Sequence, residues 1–216
     1  GGSTNGIVHM TAVAGRLGIK VDLDAFDRMG RETPVLVDLK PSGVGYMDDF
    51  HKAGGLRVVL REIRHLLNLD CLTVSGRTLG EEIDAAPKPW PQEIIRPLDK
   101  PLSATGGIAV LRGNLAPRGA IFKQSAAGAK FQKHTGRAIV FDSIEDMTDR
   151  IDDPALDVGP DDILVMRNAG PIGAPGMPEA GYIPIPKKLA AQGVKDMLRM
   201  SDARMSGTAF GSILLH

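Results

Sequence analysis

Two short stretches near the carboxyl end hold the side chains best suited to chemistry. Gly170-Pro171-Ile172-Gly173-Ala174-Pro175-Gly176-Met177-Pro178-Glu179 puts one acid on a Gly/Pro loop. Pro fixes φ and Gly permits positive φ, so such a loop can be stiff, irregular and close to a ligand. Glu179 is the only acid between Asp162 and Asp196. A lone carboxylate there suits a hard cation such as Mg2+, which takes oxygen ligands in near-octahedral geometry. The alternative is that Glu179 opens the next element and faces water. In Asp202-Ala203-Arg204-Met205-Ser206-Gly207-Thr208, small residues surround the Ser206 hydroxyl. Backbone N–H groups in a short Gly-containing turn can stabilise an alkoxide or hold a substrate carboxylate. An ordinary Ser-Gly turn is the competing reading.

The elements that must position them follow from pattern. Asp161 to Met166 reads as a buried strand feeding the first loop. Val194 to Met200, a strand or helix end, feeds the second, and Ile213 to Leu215 is an apolar strand behind it. Other short strands are expected at 107–111, 120–124 and 137–141, and helices at 143–150 and 187–192. Lys123, Gln124 and Ser125 face a cleft or water. Upstream, Ser3 or Thr4 opens a helix to about Leu17, stopped by Gly18, with Ile7, Val8, Met10, Val13 and Leu17 on its apolar face. His9 reads as a core histidine. The polar entry Ser3-Thr4-Asn5 either caps the helix or offers its N-terminus to an anionic substrate. Asp22 caps a helix over 23–31, and 34–39 reads as a buried strand. His51, after Asp48 and Asp49, is a polar histidine or lies near substrate. The longest helix is expected over 56–68, then a strand over 71–74 and a helix over 79–86. Pro87, Pro89, Pro91, Pro97 and Pro101 mark the boundary.

Together these residues resemble a known family. The stretch 161–216, the opening Gly1-Gly2-Ser3-Thr4-Asn5 with His9, Asp49 to Gly55, and Pro101 to Ser125 are similar to the dihydroxy-acid and sugar-acid dehydratases. The form DARMSGTAFG, with Ala203, Met205 and Thr208, resembles the aldonate branch, closest to pentonate (arabinonate, xylonate) dehydratases. The resemblance implies a hydro-lyase that converts a sugar acid to a 2-keto-3-deoxy acid. It implies an iron–sulfur cluster on the C3 hydroxyl, Mg2+ on the carboxylate and C2 oxygen, and a serine base. Ser206 matches that serine by its Arg-Met-Ser-Gly setting, and Glu179 matches a Mg2+ ligand by its Gly-Met-Pro-Glu setting. Thr208, Ser3, Thr4, Asn5 and His51 are assigned to substrate. A cytoplasmic homodimer or homotetramer is implied as well. The implied fold is α/β: the end of an α/β N-terminal domain (1–86), a Pro-rich linker (87–101) and a β-rich, swivelling β/β/α, barrel-like C-terminal domain (102–216). The runner-up activity is dihydroxy-acid dehydration in branched-chain amino-acid synthesis. A different class, a non-catalytic binding module, also remains.

One feature departs from that pattern. A cluster needs cysteine thiolates, and this chain has one cysteine, Cys71, in an apolar run that reads as a buried structural thiol. The ligating cysteines are expected outside this chain, which reads as a C-terminal portion without activity of its own. Composition sets the outer bounds. The 216 residues carry no formal net charge, so nothing marks nucleic acid or anionic membrane as a partner. No apolar run reaches the roughly 20 residues of a membrane span, and one cysteine fits a reducing cytoplasm. Aromatics are 4% of the chain, so the core must lean on aliphatic residues and Met.

Overall fold

The computed structural model describes residues 2–40, 42–86, 91–170, 182–204 and 211–215. In chain order the helices are α1 (Thr4–Arg16), α2 (Leu23–Glu32), α3 (Met47–Lys52), α4 (Gly55–Glu62), α5 (Leu79–Asp84), α6 (Ile144–Arg150) and α7 (Lys187–Ala191). The strands are β1 (Ala109–Leu111), β2 (Ala120–Phe122), β3 (Ala138–Phe141), β4 (Ile163–Met166), β5 (Arg199–Ser201) and β6 (Ile213–Leu215). The protein is mixed α/β. Two compact units account for it: residues 29–106, and residues 2–28 together with 107–216.

In the first unit, α3, α4 and α5 pack beside an extended segment at 34–39. That segment is bridged rather than laddered, Val35 to Ser103 and Val37 to Ile95. Its core is small: Ala53, Val58 and Ile95, with Phe50, Val59 and Ile94 against them. Thr78 caps α5 reciprocally. Its hydroxyl accepts the Glu81 N–H at 3.2 Å, and the Glu81 carboxylate accepts the Thr78 N–H at 2.7 Å.

The second unit is built on a six-stranded sheet in the order β1-β2-β6-β5-β4-β3. The β1–β2 and β2–β6 pairs are antiparallel; β6–β5, β5–β4 and β4–β3 are parallel. Parallel neighbours need crossovers, and α6 and α7 lie in two of them. The alternation of β3 and β4 sends Ile139, Phe141, Leu164 and Met166 to one face, where Met147, Ile183, Leu189 and Met197 join them. Burying each such side chain contributes about 1.5–3 kcal/mol. Phe122, Phe131 and Leu198 form a second cluster with Ile163 and Leu214. At the N-terminal end of this unit, α1 stops where expected. Ile19 N–H bonds Ala14 O at 2.9 Å and Gly18 N–H bonds Gly15 O at 3.1 Å around Gly18 at φ 72. That is the bond pattern of a left-handed helix stop.

Four expectations are corrected. Cys71 is exposed, not buried, because 71–74 is a bridged loop (Leu72 to Thr78) with Leu72 and Val74 turned to solvent. The helix expected over 56–68 ends at Glu62 and tightens into a short 3-10 turn at Arg64–Leu66, leaving α1 longer. On α1 only Ile7 is buried; Met10, Val13 and Leu17 are exposed. A sixth strand, β5, replaces the undecided end at 194–200.

Candidate functional site

The parallel half of the sheet sets the geometry. β4 and β5 lie side by side in register, Leu164 opposite Arg199 and Met166 opposite Ser201. Residues 167–181 leave the carboxyl end of β4, and residues 202–210 leave the carboxyl end of β5. In open α/β sheets, ligands bind outside those carboxyl ends. Glu179, Ser206 and Thr208 lie outside the described residues, but the stems of both segments are described.

The departing stems are held together at that edge. Asp202 Oδ1 accepts the Ala169 N–H at 3.0 Å. Gly170 lies so close that a Cβ there would stand 2.0 Å from the Asp202 carbonyl oxygen. Just before it, Asn168 takes φ 62, a left-handed conformation that Asn tolerates better than most residues. Its side-chain amide donates to Asp142 O at 3.1 Å, and Arg167 Nε donates to Asp142 Oδ1 at 2.6 Å, which ties in the end of β3. On the other stem, Ser201 Oγ accepts the Ala203 N–H at 3.0 Å.

The returning stems meet at a polar cluster. Arg199, 2% exposed, donates to Ile183 O at 3.0 Å and lies 3.7 Å from Asp196. Asp196 in turn accepts the Ser212 N–H and the Ser212 hydroxyl, both at 2.9 Å. Burial pulls the Arg199 guanidinium below its ordinary value, opposed by the charge of Asp196. An Arg so placed stays protonated all the same.

Helix α1 is packed into the same unit. Ser3 is its N-cap residue, yet its hydroxyl makes no capping bond; the Gly6 N–H bonds Ser3 O at 3.0 Å instead. One turn beyond Asn5, on the same face, His9 is exposed and its Nε2 lies 3.4 Å from Arg204 NH1. That corrects the core-histidine reading: His9 marks the stem from which the Ser206 stretch departs. Thus Ser3 as N-cap, with Thr4 and Asn5, opens the helix whose next turn reaches that stem. The i, i+4 spacing of Asn5 and His9 was the available signal. His51 is exposed in the last turn of α3, in the first unit. Its neighbours have other partners: Asp48 pairs with Lys52, and Asp49 accepts the Tyr46 N–H at 2.8 Å. Lys123, at the end of β2, is half-buried, and burial lowers its pKa.

Metal-binding capacity is limited in what is described. Among the described residues no group of three or more His, Cys, Asp or Glu is placed to hold a metal ion. The only cysteine of the chain, Cys71, is exposed, and a single thiolate does not make an iron–sulfur site. Among the described residues no helix is long and apolar enough to cross a membrane.

Adjacent parallel strands whose carboxyl ends lead into the two motif-bearing stretches make this an α/β sheet of the kind that binds ligands at that end. Comparison with known proteins then fixes the family. The model for the dihydroxy-acid/6-phosphogluconate dehydratase C-terminal domain matches residues 93–216, and that for the N-terminal domain matches residues 1–82. The chain belongs to this dehydratase family. It is 51% identical over 219 residues to an L-arabonate dehydratase of Azospirillum brasilense, and 49% over 218 residues to an L-arabinonate dehydratase of Rhizobium leguminosarum bv. trifolii. It is 41% identical over 220 residues to a dihydroxy-acid dehydratase of Methanosarcina barkeri. Each match takes in 100% of this chain and 37%, 38% and 39% of the respective relative. The chain therefore spans little over a third of the length of the relatives it matches.

Proposed function

We propose that the protein is a hydro-lyase that removes water from an aldonate and yields a 2-keto-3-deoxy acid. The observation that carries this reading is the match of the whole chain, at 51% and 49% identity, to two relatives named for arabinonate dehydration. The DARMSGTAFG stretch points the same way. In this reading the Ser206 oxygen takes the proton from C2, hydroxide leaves C3, and the resulting enol becomes the keto acid. A free serine hydroxyl is far too weak an acid for that role, so backbone N–H dipoles in the turn must stabilise the alkoxide. Glu179 supplies one oxygen toward Mg2+, which when bound neutralises the substrate's anionic oxygens. Thr208, the Ser3-Thr4-Asn5 entry of α1 and His51 are the residues assigned to the acid. The shared stems of the two segments support the pairing of Glu179 with Ser206.

The described residues offer no donor set for a complete metal site, and Cys71 alone does not fit a cluster. In this reading the cluster and the remaining Mg2+ ligands depend on sequence beyond these 216 residues. The domain reading goes with it: residues 1–86, a Pro-rich linker at 87–101, and a swivelling, barrel-like domain from 102. The gap between the two family matches, 82 to 93, supports a boundary there. A cytoplasmic homodimer or homotetramer completes the proposal.

Dihydroxy-acid dehydration is the second reading, favoured by the 41% identity to the archaeal relative. The test is keto-acid release from a panel of aldonates and a branched 2,3-dihydroxy acid, using the protein in its full native length. Release from a pentonate, and its loss in Ser206→Ala with the cluster absorbance retained, is the expected result. Turnover surviving in Ser206→Ala removes Ser206 as the base. Preference for the branched acid replaces the substrate class.

A further inference from the structure

We propose that Asp196, Arg199 and Asp202 are positioning residues, which tie together the described stems on either side of the stretches that carry Glu179 and Ser206. This inference rests on the proposed function for its catalytic meaning, and on the described stems alone for its geometry. Asp202 holds the departing ends: it lies on the Ser206 side and accepts the Ala169 N–H from the Glu179 side at 3.0 Å. The Gly170 backbone packs directly on the Asp202 carbonyl. Asp196 and Arg199 hold the returning ends. Arg199 grips Ile183 O at 3.0 Å, two residues after the first segment, and Asp196 grips Ser212 twice at 2.9 Å, two residues after the second. Gly211, at φ 103, leaves no room for a side chain: a Cβ there would stand 2.1 Å from Asp196 Oδ1 and 2.4 Å from Arg199 NH2. A charge pair with one partner buried is a poor way to gain stability, since apolar residues of similar volume often serve as well. Its directional bonds specify geometry instead. The bonds named above end on the segment stems, and Asp196 also accepts the Gly128 N–H of a neighbouring loop at 3.4 Å.

The test compares Asp196→Asn and Ser212→Ala with Arg137→Met in the full-length enzyme. Arg137 also makes ion pairs in this sheet, to Asp157 and Asp162, on the approach to β3. Hydrogen exchange is read on peptides covering 171–181 and 205–210, alongside kcat, KM and thermal midpoint. Asp196→Asn should raise exchange in both segments together and lower kcat at least tenfold, with KM changed less than threefold. Ser212→Ala, which removes one hydroxyl and preserves the ion pair, should give the same pattern at several-fold size. Arg137→Met should lower the midpoint without either effect. Exchange that rises in one segment only or in neither, wild-type segments already exchanging at the intrinsic rate, or a kcat loss no larger than in Arg137→Met at equal midpoint would each overturn the proposal. A wild-type enzyme inactive on every acid sinks the functional reading, while the exchange measurement still decides the geometry.

Discussion

Gly170 occupies a place where no side chain fits. A methyl group there would press on the Asp202 carbonyl oxygen, on a rigid backbone rather than a flexible side-chain tip. Gly170→Ala should therefore cost about 1–3 kcal/mol, the usual penalty of overpacking, read as a lower urea midpoint at unchanged slope. A variant as stable as wild type would show that the two stems part without cost. Glu179 carries a separate expectation. Glu179→Gln removes one charged oxygen from the proposed Mg2+ site, so half-saturation by Mg2+ should move to higher concentration. An unchanged Mg2+ titration of activity would dismiss that role. At this scale the sequence was partly readable. A Gly/Pro loop with one acid, and a serine among small residues, stand out by type. The part played by Asp202 did not, because its partner, the Ala169 N–H, is 33 positions away. Cys71 misled for a related reason. An apolar run of Leu, Cys and Val looks buried, and nothing local reveals that the loop carrying it is left on the surface.

Short elements need their ends satisfied, and α5 shows how. Its six residues are too few to be stable through propensity alone. The Thr78–Glu81 box closes its first turn, and hydrogen bonding from the Thr78 backbone holds the Glu81 carboxyl below its usual range. From the preceding elements, Arg61 donates to the carbonyls of Ala86 and Ile83, and Arg64 to the carboxylate of Asp84 at 2.7 Å. Thr78→Ala should cost about 1 kcal/mol and raise hydrogen exchange at 79–84 before it does so in the sheet. Equal protection in both proteins would mean that the arginine contacts alone hold the helix. The same contacts explain why the pattern over 56–68 overstated α4. Its apolar spacing continues past Glu62, but the tie from Arg64 to Asp84 and the bond that the Leu98 N–H donates to the Glu62 carboxylate fix a tighter turn instead. Of the apolar strands, Ile213–Leu215 was readable to the residue and Ile163–Met166 to within its two leading acids. β5 was not, since Arg199 stands inside it, and only the fold supplies the Asp196 and Ile183 oxygens that let an arginine be buried there.

Across the whole molecule, a formal net charge of zero conceals many local pairings that depend on pH. Asp157 and Asp162 are both held below the usual carboxylate range, chiefly by hydrogen bonds from Arg137, whose own pKa is raised in return. Asp152 is lowered by its bond from Lys187, and Asp146 by the Asp142 N–H. Glu82 is lowered by Ser75, and Glu145 by a bond from its own backbone N–H. Each of these carboxyl groups binds its proton more weakly folded than unfolded. Between the two values the unfolded chain therefore takes up more protons, and stability rises with pH there. The contribution is complete above the unfolded carboxylate range, near pH 4 to 5, and drains away as pH falls through the lower folded values. The urea midpoint should thus be flat from about pH 6 to 8 and drop steeply below about pH 4. Many of the pairs are exposed, so 1 M salt should shrink the part owed to them while leaving the hydrogen-bonded part. Arg137→Met separates one site from the rest. It releases Asp157 and Asp162 toward ordinary values, so its midpoint should lie below wild type at pH 7 and approach it as pH falls through the lowered folded values of the two acids, where wild type loses the same contribution. Two curves that run parallel from pH 7 to pH 3 would show that Arg137 acts through its packing, with no charge linkage to those acids.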